Sequence, residues 1–284
     1  PNVSRLMEEI HPHTGKAYCI GITGPTGAGK SSLVAQLTSV IRKQGLSLGI
    51  IAVDPTSPYS GGALLGDRLR MQPHYLDPEV FIRSMATRGS QGGIPRIIEG
   101  VVRLLDAAGK DMVIVETVGV GQTELRVVGV ADTVVVMLVP EGGDSIQSLK
   151  AGLMEIADIY VVNKSDREGS DKMVAVVRDM LKMGSRADGW TPPVISTQAI
   201  SGLGVEELYD NVLLHRNFLT DNLELESRRR TRRGKEFIEI LDEEIGKRVK
   251  SVIEGDAGFS RILASVMDGR LDPYSSAQQL LDEA

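Results

Sequence analysis

The sequence predicts an α/β fold: a doubly wound, mainly parallel sheet followed by a C-terminal helical segment. Two observations predict it. Short β-branched runs alternate with longer stretches of helical period, the pattern of successive βαβ units. Several of these runs, VVVML and GIIAV among them, are continuously apolar, as strands covered by helices on both faces must be. The composition agrees. A chain of 284 residues, 42% hydrophobic and 25% charged with a single cysteine, can bury a full core without disulfides.

Taken in order, strands are expected at 17–23, 48–53, 80–85, 112–116, 133–139, 159–162 and 194–197, with helices between them. The first helix, 30–44, carries Leu33, Leu37, Val40 and Ile41 on one face and stops at Gly45, a left-handed cap position. Stretches 94–105, 145–155, 171–182 and 205–214 repeat that pattern. After His215 the strand signal ends. Residues 219–253 read as one long helix with Ile238, Leu241, Ile245, Val249 and Val252 spaced three or four apart, and shorter helices follow at 259–267 and 276–281, separated by Asp272-Pro273. A stripe this narrow packs back on the domain or against a second copy, and its width favours a helix–helix seam. The expected organisation is therefore a remnant N-terminal extension at 1–16, a nucleotide-binding domain at 17–218 and a helical dimerisation segment at 219–284.

Charge excludes several functions. A net charge of −6 argues against broad adhesion to nucleic acid or to an anionic membrane. No apolar run approaches the roughly 20 residues needed to span a bilayer, and the N-terminus lacks a secretory pattern. The expected location is cytoplasmic, or the mitochondrial matrix in a eukaryote. With 31 glycines and 4% aromatics, the chain suits close backbone approach to a ligand better than stacking on bases.

The most specific local signal is Gly24-Pro25-Thr26-Gly27-Ala28-Gly29-Lys30-Ser31, a complete GxxxxGK[ST] between an expected strand and an expected helix, followed by Ser32. Its backbone N–H groups curl around phosphates, the helix N-terminus adds positive potential, Lys30 reaches the β/γ oxygens and Ser31 ligates Mg²⁺. A turn that merely redirects the chain needs neither the lysine nor the hydroxyl. Base choice comes from Asn163-Lys164-Ser165-Asp166, the NKxD arrangement, directly after the strand IYVV. A carboxylate at Asp166 accepts from both N1–H and the N2 amino group of guanine, a donor pair that adenine lacks. A further strand leads to Gln198-Ala199-Ile200, where a backbone N–H can meet guanine O6. The ligands implied are GTP/GDP and Mg²⁺.

Glu116 closes the strand VIVE where such proteins keep a second metal-side carboxylate, and Gly119 in the following GVGQTE is placed to sense a γ-phosphate. Val120 occupies the position where a water-orienting glutamine is found in Ras-like enzymes, and Gln122 lies two residues beyond it. Asp54 and Asp67 bracket a loop rich in Gly, Ser and Pro. Either they position Mg²⁺ and water, or Asp54 forms a turn before Pro55 and Asp67 caps a helix. The segment PEGGD leading to Lys150 is either a nucleotide-edge loop or a solvated one.

Together GPTGAGKSS, VDPTSPYSGGALLGDR, ETVGVGQTE, PEGGDSIQSLKAG and NKSD resemble the MeaB/MMAA (also called ArgK) GTPases, from the first strand to DPYSSAQQLL near the C-terminus. The resemblance implies a GTP-hydrolysing chaperone that gates cofactor loading and protection of an adenosylcobalamin-dependent methylmalonyl-CoA mutase or close relative, and Val120 adds the expectation that hydrolysis is slow alone and stimulated by the partner. It implies a homodimer built through C-terminal helices. It also places Lys30 and Ser31 on phosphate and Mg²⁺, Asp54, Asp67 and Glu116 around the metal and γ-phosphate, Lys150 in a third switch loop, and Asn163, Lys164 and Asp166 on guanine. Two departures stand out. Gln198-Ala199 replaces the family's usual Ser-Ala, and little of the family's helical extension precedes residue 17.

Competing readings are a transport-type kinase acting on a small molecule or protein, a scaffold using nucleotide structurally, and a metallochaperone GTPase. One cysteine and four scattered histidines disfavour the last. Cys19 reads as a core residue. The run Arg228-Arg229-Arg230-Thr231-Arg232-Arg233 reads either as a contact for an acidic partner or as a solvated helix face salt-bridged near Asp221, Glu224 and Glu226.

Overall fold

A computed structural model describes residues 3–54, 71–86, 93–117, 129–140, 156–183, 188–254 and 257–282. The sheet strands are β1 (Tyr18–Thr23), β2 (Leu48–Asp54), β3 (Val80–Ala86), β4 (Met112–Thr117), β5 (Thr133–Leu138), β6 (Ile159–Asn163) and β7 (Val194–Thr197). They lie in the order β3-β2-β4-β1-β5-β6-β7, and every pairing is parallel. Helices α1 (Val3–Ile10), α2 (Lys30–Lys43), α3 (Gly93–Ala107), α4 (Ser170–Met183) and α5 (Val205–Asp221) belong to this part of the chain; α6 (Glu224–Glu254), α7 (Ala257–Met267) and α8 (Pro273–Asp282) complete it. The helix expected at 145–155 lies outside the described residues.

The apolar runs explain the layering. Ile20, Ile22, Ile50 and Ile114 pack on one face against Leu33, Leu37 and Ile41 of α2 and Leu208 and Val212 of α5. Ile51, Val113, Val115 and Val136 pack on the other against Ile98 and Leu105 of α3 and Val174 and Val177 of α4. Two cores back to back make a doubly wound sheet, and strands central to it have no polar face to offer. Cys19 is buried in the second core, and Gly45 takes φ 78° just after α2.

At the N-terminal edge of the sheet, the first N–H groups of β1, β2 and β5 need acceptors, and neighbouring aspartates supply them. Asp106 accepts from Lys16 and Ala17, Asp111 from Ser47, Asp132 from Cys19 and Asp158 from Val134. The hydroxyl and backbone N–H of Ser47 hold the Asp111 carboxyl below its ordinary pKa. Asp132 and Asp158 are 3% exposed, and an arginine reaches each of them. Arg229 gives Asp132 a two-pronged pair at 2.6 and 3.0 Å while donating to the carbonyls of Gly15 and Ala17. Burial works against the charged Arg229 guanidinium, but Asp132 outweighs it and the net shift is upward. Arg228 binds Asp188 at 2.7 Å and Asp158 at 3.4 Å. His215, fully buried, bonds Thr133 through Nδ1 and faces Asp158 and the Trp190 ring. The first two arginines of the basic run therefore serve the sheet, and their partners are distant aspartates, not the acids just upstream.

The chain divides into two compact units, Pro1–Arg229 and Arg230–Ala284. In the second, Ile238, Leu241 and Ile245 of α6 are 53%, 43% and 50% exposed and form a continuous apolar stripe with the half-buried Val249. The side chain of Val252 lies outside the described residues.

The Arg229–Asp132 pair sets up a measurable contrast. Arg229→Met leaves a carboxylate at 2% side-chain exposure without its guanidinium, which costs about 3 to 5 kcal/mol, whereas breaking an exposed pair costs under about 1. Urea melts of the full chain should therefore separate Arg229→Met from Lys247→Met, whose ammonium is 57% exposed beside Glu243 and Glu244. Equal, small shifts would refute the anchoring role.

Candidate functional site

The C-terminal ends of β1, β4, β6 and β7 bring most of the expected residues to one edge of the sheet. Leaving β1, the chain turns through Gly24 (φ 143°), Gly27 (φ 78°) and Gly29 (φ 92°) before α2 opens at Lys30. Two of these glycines are required twice over. A Cβ at Gly24 would strike the Met137 carbonyl oxygen, and one at Gly29 would lie 2.5 Å from Asn163 Nδ2. Gly24, Pro25 and Ala28 are buried, Thr26 and Gly27 exposed, and Gly29 and Ser32 half-buried. No side chain caps α2 at its N-terminus, so the positive end of the helix faces the loop, where an anion is favoured.

Lys30, 6% exposed, donates to Gly24 O at 2.6 Å and Pro25 O at 2.9 Å. It is folded over the loop that a polyphosphate would occupy. Ser31 Oγ donates to Glu116 Oε1 at 2.7 Å, and the two residues are 5% and 1% exposed. A hydroxyl and a carboxylate in one buried spot make a hard-oxygen pair, the donor chemistry that suits Mg²⁺ when phosphate completes the shell. Beneath them the Thr117 hydroxyl donates to the Thr23 hydroxyl at 3.0 Å, tying β4 to β1. Asp54 ends β2, next to β4 in the sheet, where Val53 pairs with Thr117. Its side chain, all of Asp67 and Lys150, and Gly119, Val120 and Gln122 lie outside the described residues.

Asn163 closes β6 and is 3% exposed. Its Nδ2 donates to Ala28 O at 2.7 Å, and its Oδ1 accepts from Thr197 Oγ1 at 3.0 Å and from the Ala199 N–H at 2.9 Å. One side chain thus joins the phosphate loop, β6 and the loop after β7. Lys164 follows with φ 58°, an unusual left-handed conformation for a residue with a side chain, and Asp166 beyond it is exposed to solvent. The loop after β7 is closed on itself: the Gln198 N–H donates to Leu203 O, and the N–H groups of Ser201 and Gly202 both return to Gln198 O. Sequence patterns do not reveal the Thr23–Thr117 bridge, the Met137 carbonyl wall or the share of Thr197 in holding Asn163. Each joins residues on different strands, and no local motif signals them.

A doubly wound parallel sheet whose first strand runs into GPTGAGKS and whose sixth runs into NKSD defines a P-loop GTPase. A family model described as methylmalonyl-CoA mutase-associated GTPase MeaB matches residues 2–254, and the chain belongs to that family. A Pyrococcus horikoshii protein named as a GTPase is 48% identical over 281 residues, spanning 98% of this chain and 88% of that protein. GTPase ArgK of Escherichia coli is 32% identical over 98% of this chain and 85% of its own length. The mitochondrial methylmalonic aciduria type A homolog of Mus musculus is 34% identical over 93% of this chain and 65% of its own. Among solved structures, that of a LAO/AO transport system kinase superposes with a TM-score of 0.73 at 27% identity, covering 98% of this chain and 85% of that one. HypB from Helicobacter pylori in complex with nickel shares the fold at a TM-score of 0.51 and 18% identity, over 76% of this chain and 94% of its own. The chain accordingly binds guanine nucleotide and hydrolyses GTP.

The two residues of NKSD should separate stability from recognition. Asn163→Ala leaves Ala28 O, Thr197 Oγ1 and the Ala199 N–H without this partner, each costing about 1 to 3 kcal/mol if left unpaired. Asp166→Asn, on an exposed side chain, should leave the melt within about 0.5 kcal/mol while removing the preference for GDP over ADP in calorimetry. The assignment fails if the Asp166 variant keeps that preference, or if the Asn163 variant melts like the parent.

Proposed function

We propose that this GTPase is a chaperone of an adenosylcobalamin-dependent methylmalonyl-CoA mutase or close relative, coupling its nucleotide state to cofactor loading and protection of the mutase. The observation that carries this is the match of residues 2–254 to a family described as mutase-associated. In the proposed cycle Lys30 leaves the carbonyls of Gly24 and Pro25 for the β/γ-phosphate oxygens, and the N–H groups of the loop from Gly24 to Ser32 surround the phosphates. Ser31 and Glu116, with Asp54 and Asp67, would hold Mg²⁺, which supplies charge neutralisation at the β- and γ-phosphates when bound. What supports the metal role is the buried pairing of Ser31 with Glu116. Asn163, Lys164 and Asp166 read guanine, assisted by the loop of Gln198, Ala199 and Ile200.

Val120 brings no hydrogen-bonding side chain, so orientation of the attacking water falls to Asp54, Asp67 or a group arriving with the partner. Hydrolysis is therefore slow alone and accelerated by the mutase, with Lys150 moving between states in a third switch loop. A second reading, transfer of the γ-phosphate to a small molecule or protein, has in its favour the likeness to the solved transport system kinase. Phosphate-release assays decide between them. Adding a matched adenosylcobalamin mutase should raise phosphate release clearly above the basal rate, and completion of such a site from outside is worth up to about 10³ to 10⁵ in related GTPases. A rate indifferent to the mutase, or a labelled acceptor in place of free phosphate, would overturn the proposal.

The chaperone is further proposed to act as a homodimer through the stripe Ile238, Leu241, Ile245, Val249 and Val252. Exposure of the first three supports it, since a seam this long and apolar is a poor solvent face. Light scattering should give twice the chain mass for the full protein and the single mass for Ile238→Glu/Ile245→Glu; a full chain that is monomeric at tens of micromolar contradicts the dimer.

A further inference from the structure

The sheet ends at β7, which pairs with β6 alone, so its other edge has no neighbouring strand. In a parallel ladder the N–H and C=O of one residue point to the same side, and successive residues point to opposite sides. Pro193 O and Thr197 O accept from the N–H groups of Tyr160 and Ser165, so residues 193, 195 and 197 face β6 while Val194 and Ser196 face outward. Pro192 has no N–H to offer, and Gly204 packs on the Ser196 carbonyl with no room for a Cβ. The open part of the edge is therefore the N–H and C=O of Val194 and the N–H of Ser196. None of these three groups enters a hydrogen bond among the described residues. Such an edge is a template for another strand.

The edge lies in a groove of about 590 Å³ between α4 and α5. Arg178 and Lys182 line it from α4, Glu207 and Asn211 from α5, and Pro193 and Val194 from the strand. Its two walls differ in charge. The exposed Arg178 guanidinium has no ion pair or hydrogen bond among the described residues, and Lys182, 75% exposed, holds the exposed Asp179 of its own helix. Val194 packs in the core with Val174 and Val177 of α4, Ile195 in the core with Leu208 and Val212 of α5. A strand laid on this edge continues that alternation, so every second side chain is directed to the Arg178 and Lys182 wall and those between to the Glu207 and Asn211 wall. Carboxylates suit the first wall; beside Glu207 they are repelled, and a neutral hydroxyl fits. The chain as a whole carries a net charge of −6, so attraction of an acidic segment here is a local property of this groove.

We infer that the outer edge of β7 is a docking surface for an extended segment of a partner protein that carries carboxylates on alternate residues, added to the sheet as a further strand. The groove flanks the start of β7, whereas the nucleotide residues gather at the C-terminal ends of the strands, so docking and GTP hydrolysis can be read separately.

The experiment uses the full chain and a fluorescently labelled, capped peptide, Thr-Glu-Thr-Glu-Thr-Glu, whose threonines favour the extended state. Anisotropy should show saturable binding below about 1 mM, roughly tenfold tighter than for Thr-Lys-Thr-Lys-Thr-Lys or for the block peptide Thr-Thr-Thr-Glu-Glu-Glu. Hydrogen exchange at the Val194 and Ser196 amides should slow when the peptide saturates the chain. Arg178→Glu, on an exposed side chain, should weaken the alternating peptide about tenfold and leave the melt unchanged. Ser196→Pro deletes the outward N–H and spares the ladder to β6, a position where an edge strand accepts proline. It should abolish binding while basal GTP hydrolysis and the mass by light scattering stay those of the parent. Absence of binding at about 1 mM, equal affinity for the alternating and block peptides, or indifference to either substitution would overturn the inference. A lower mass for Ser196→Pro would assign the edge to a second copy of the chain and overturn it as well.

Discussion

The side-chain amide of Asn163 is the constraint on which the nucleotide edge depends. Parallel strands end in loops that share no ladder, so without a cross-brace the turn after β1 and the turn after β7 would be positioned only by their own stems. Three bonds from one planar amide supply that brace: one into Ala28, two from Thr197 and Ala199. Because the amide is planar and rigid, its three hydrogen bonds hold the loop after β1 and the loop after β7 at a set spacing. The close fit of Gly29 against it then follows, and so does the need for glycine there.

The opposite edge is governed by charge. Asp106, Asp132 and Asp158, all buried, accept leading N–H groups of β1 and β5, which solves a hydrogen-bonding problem and creates an electrostatic one. Arg228 and Arg229 answer it by donating to Asp158, Asp188 and Asp132 from the start of α6. The first turns of that helix are consequently secured to the sheet by ionic bonds. At this joint the Arg229 guanidinium is held between a carboxylate and two carbonyls, which fixes its own orientation.

Much of this architecture is legible in the residues. All seven strands fall within a residue or so of their expected limits, because continuous β-branched runs leave little choice of state. The phosphate loop, Glu116, Asn163 and the loop at 198–200 are legible because short motifs encode their local backbone. Longer-range features are not. The helix expected to stop at Leu214 runs on to Asp221 as α5, since His215 and Leu219, both fully buried, make that extra length part of the core. The arginine run cannot be parsed from sequence because the partners of Arg229 and Arg228 lie in loops far upstream. Local charge counting points to Asp221, Glu224 and Glu226, whereas the buried aspartates take the first two arginines, because a carboxylate out of water gains most from a cation. Gln198 departs from the usual serine, and the turn it opens is closed by its backbone carbonyl, which accepts from the N–H groups of Ser201 and Gly202.

The position of β1 at the middle of the sheet has a consequence for how the chain is made. Tyr18–Thr23 pairs with β4 on one side and β5 on the other, so neither edge of the first strand to be synthesised can be satisfied until residues 112–117 and 133–138 have followed. The phosphate loop is written by Ser31, but its brace waits for Asn163 and Ala199, and the arginine joint waits longer still. The two pairings of β1, Tyr18 with Met112 and Ile20 with Thr133, each bridge a long stretch of chain, which favours slow folding with a long interval of unpaired apolar strand. During translation the growing polypeptide therefore carries a complete nucleotide-binding motif that cannot yet hold nucleotide, and GTP can stabilise the fold only after the second half of the domain has left the ribosome.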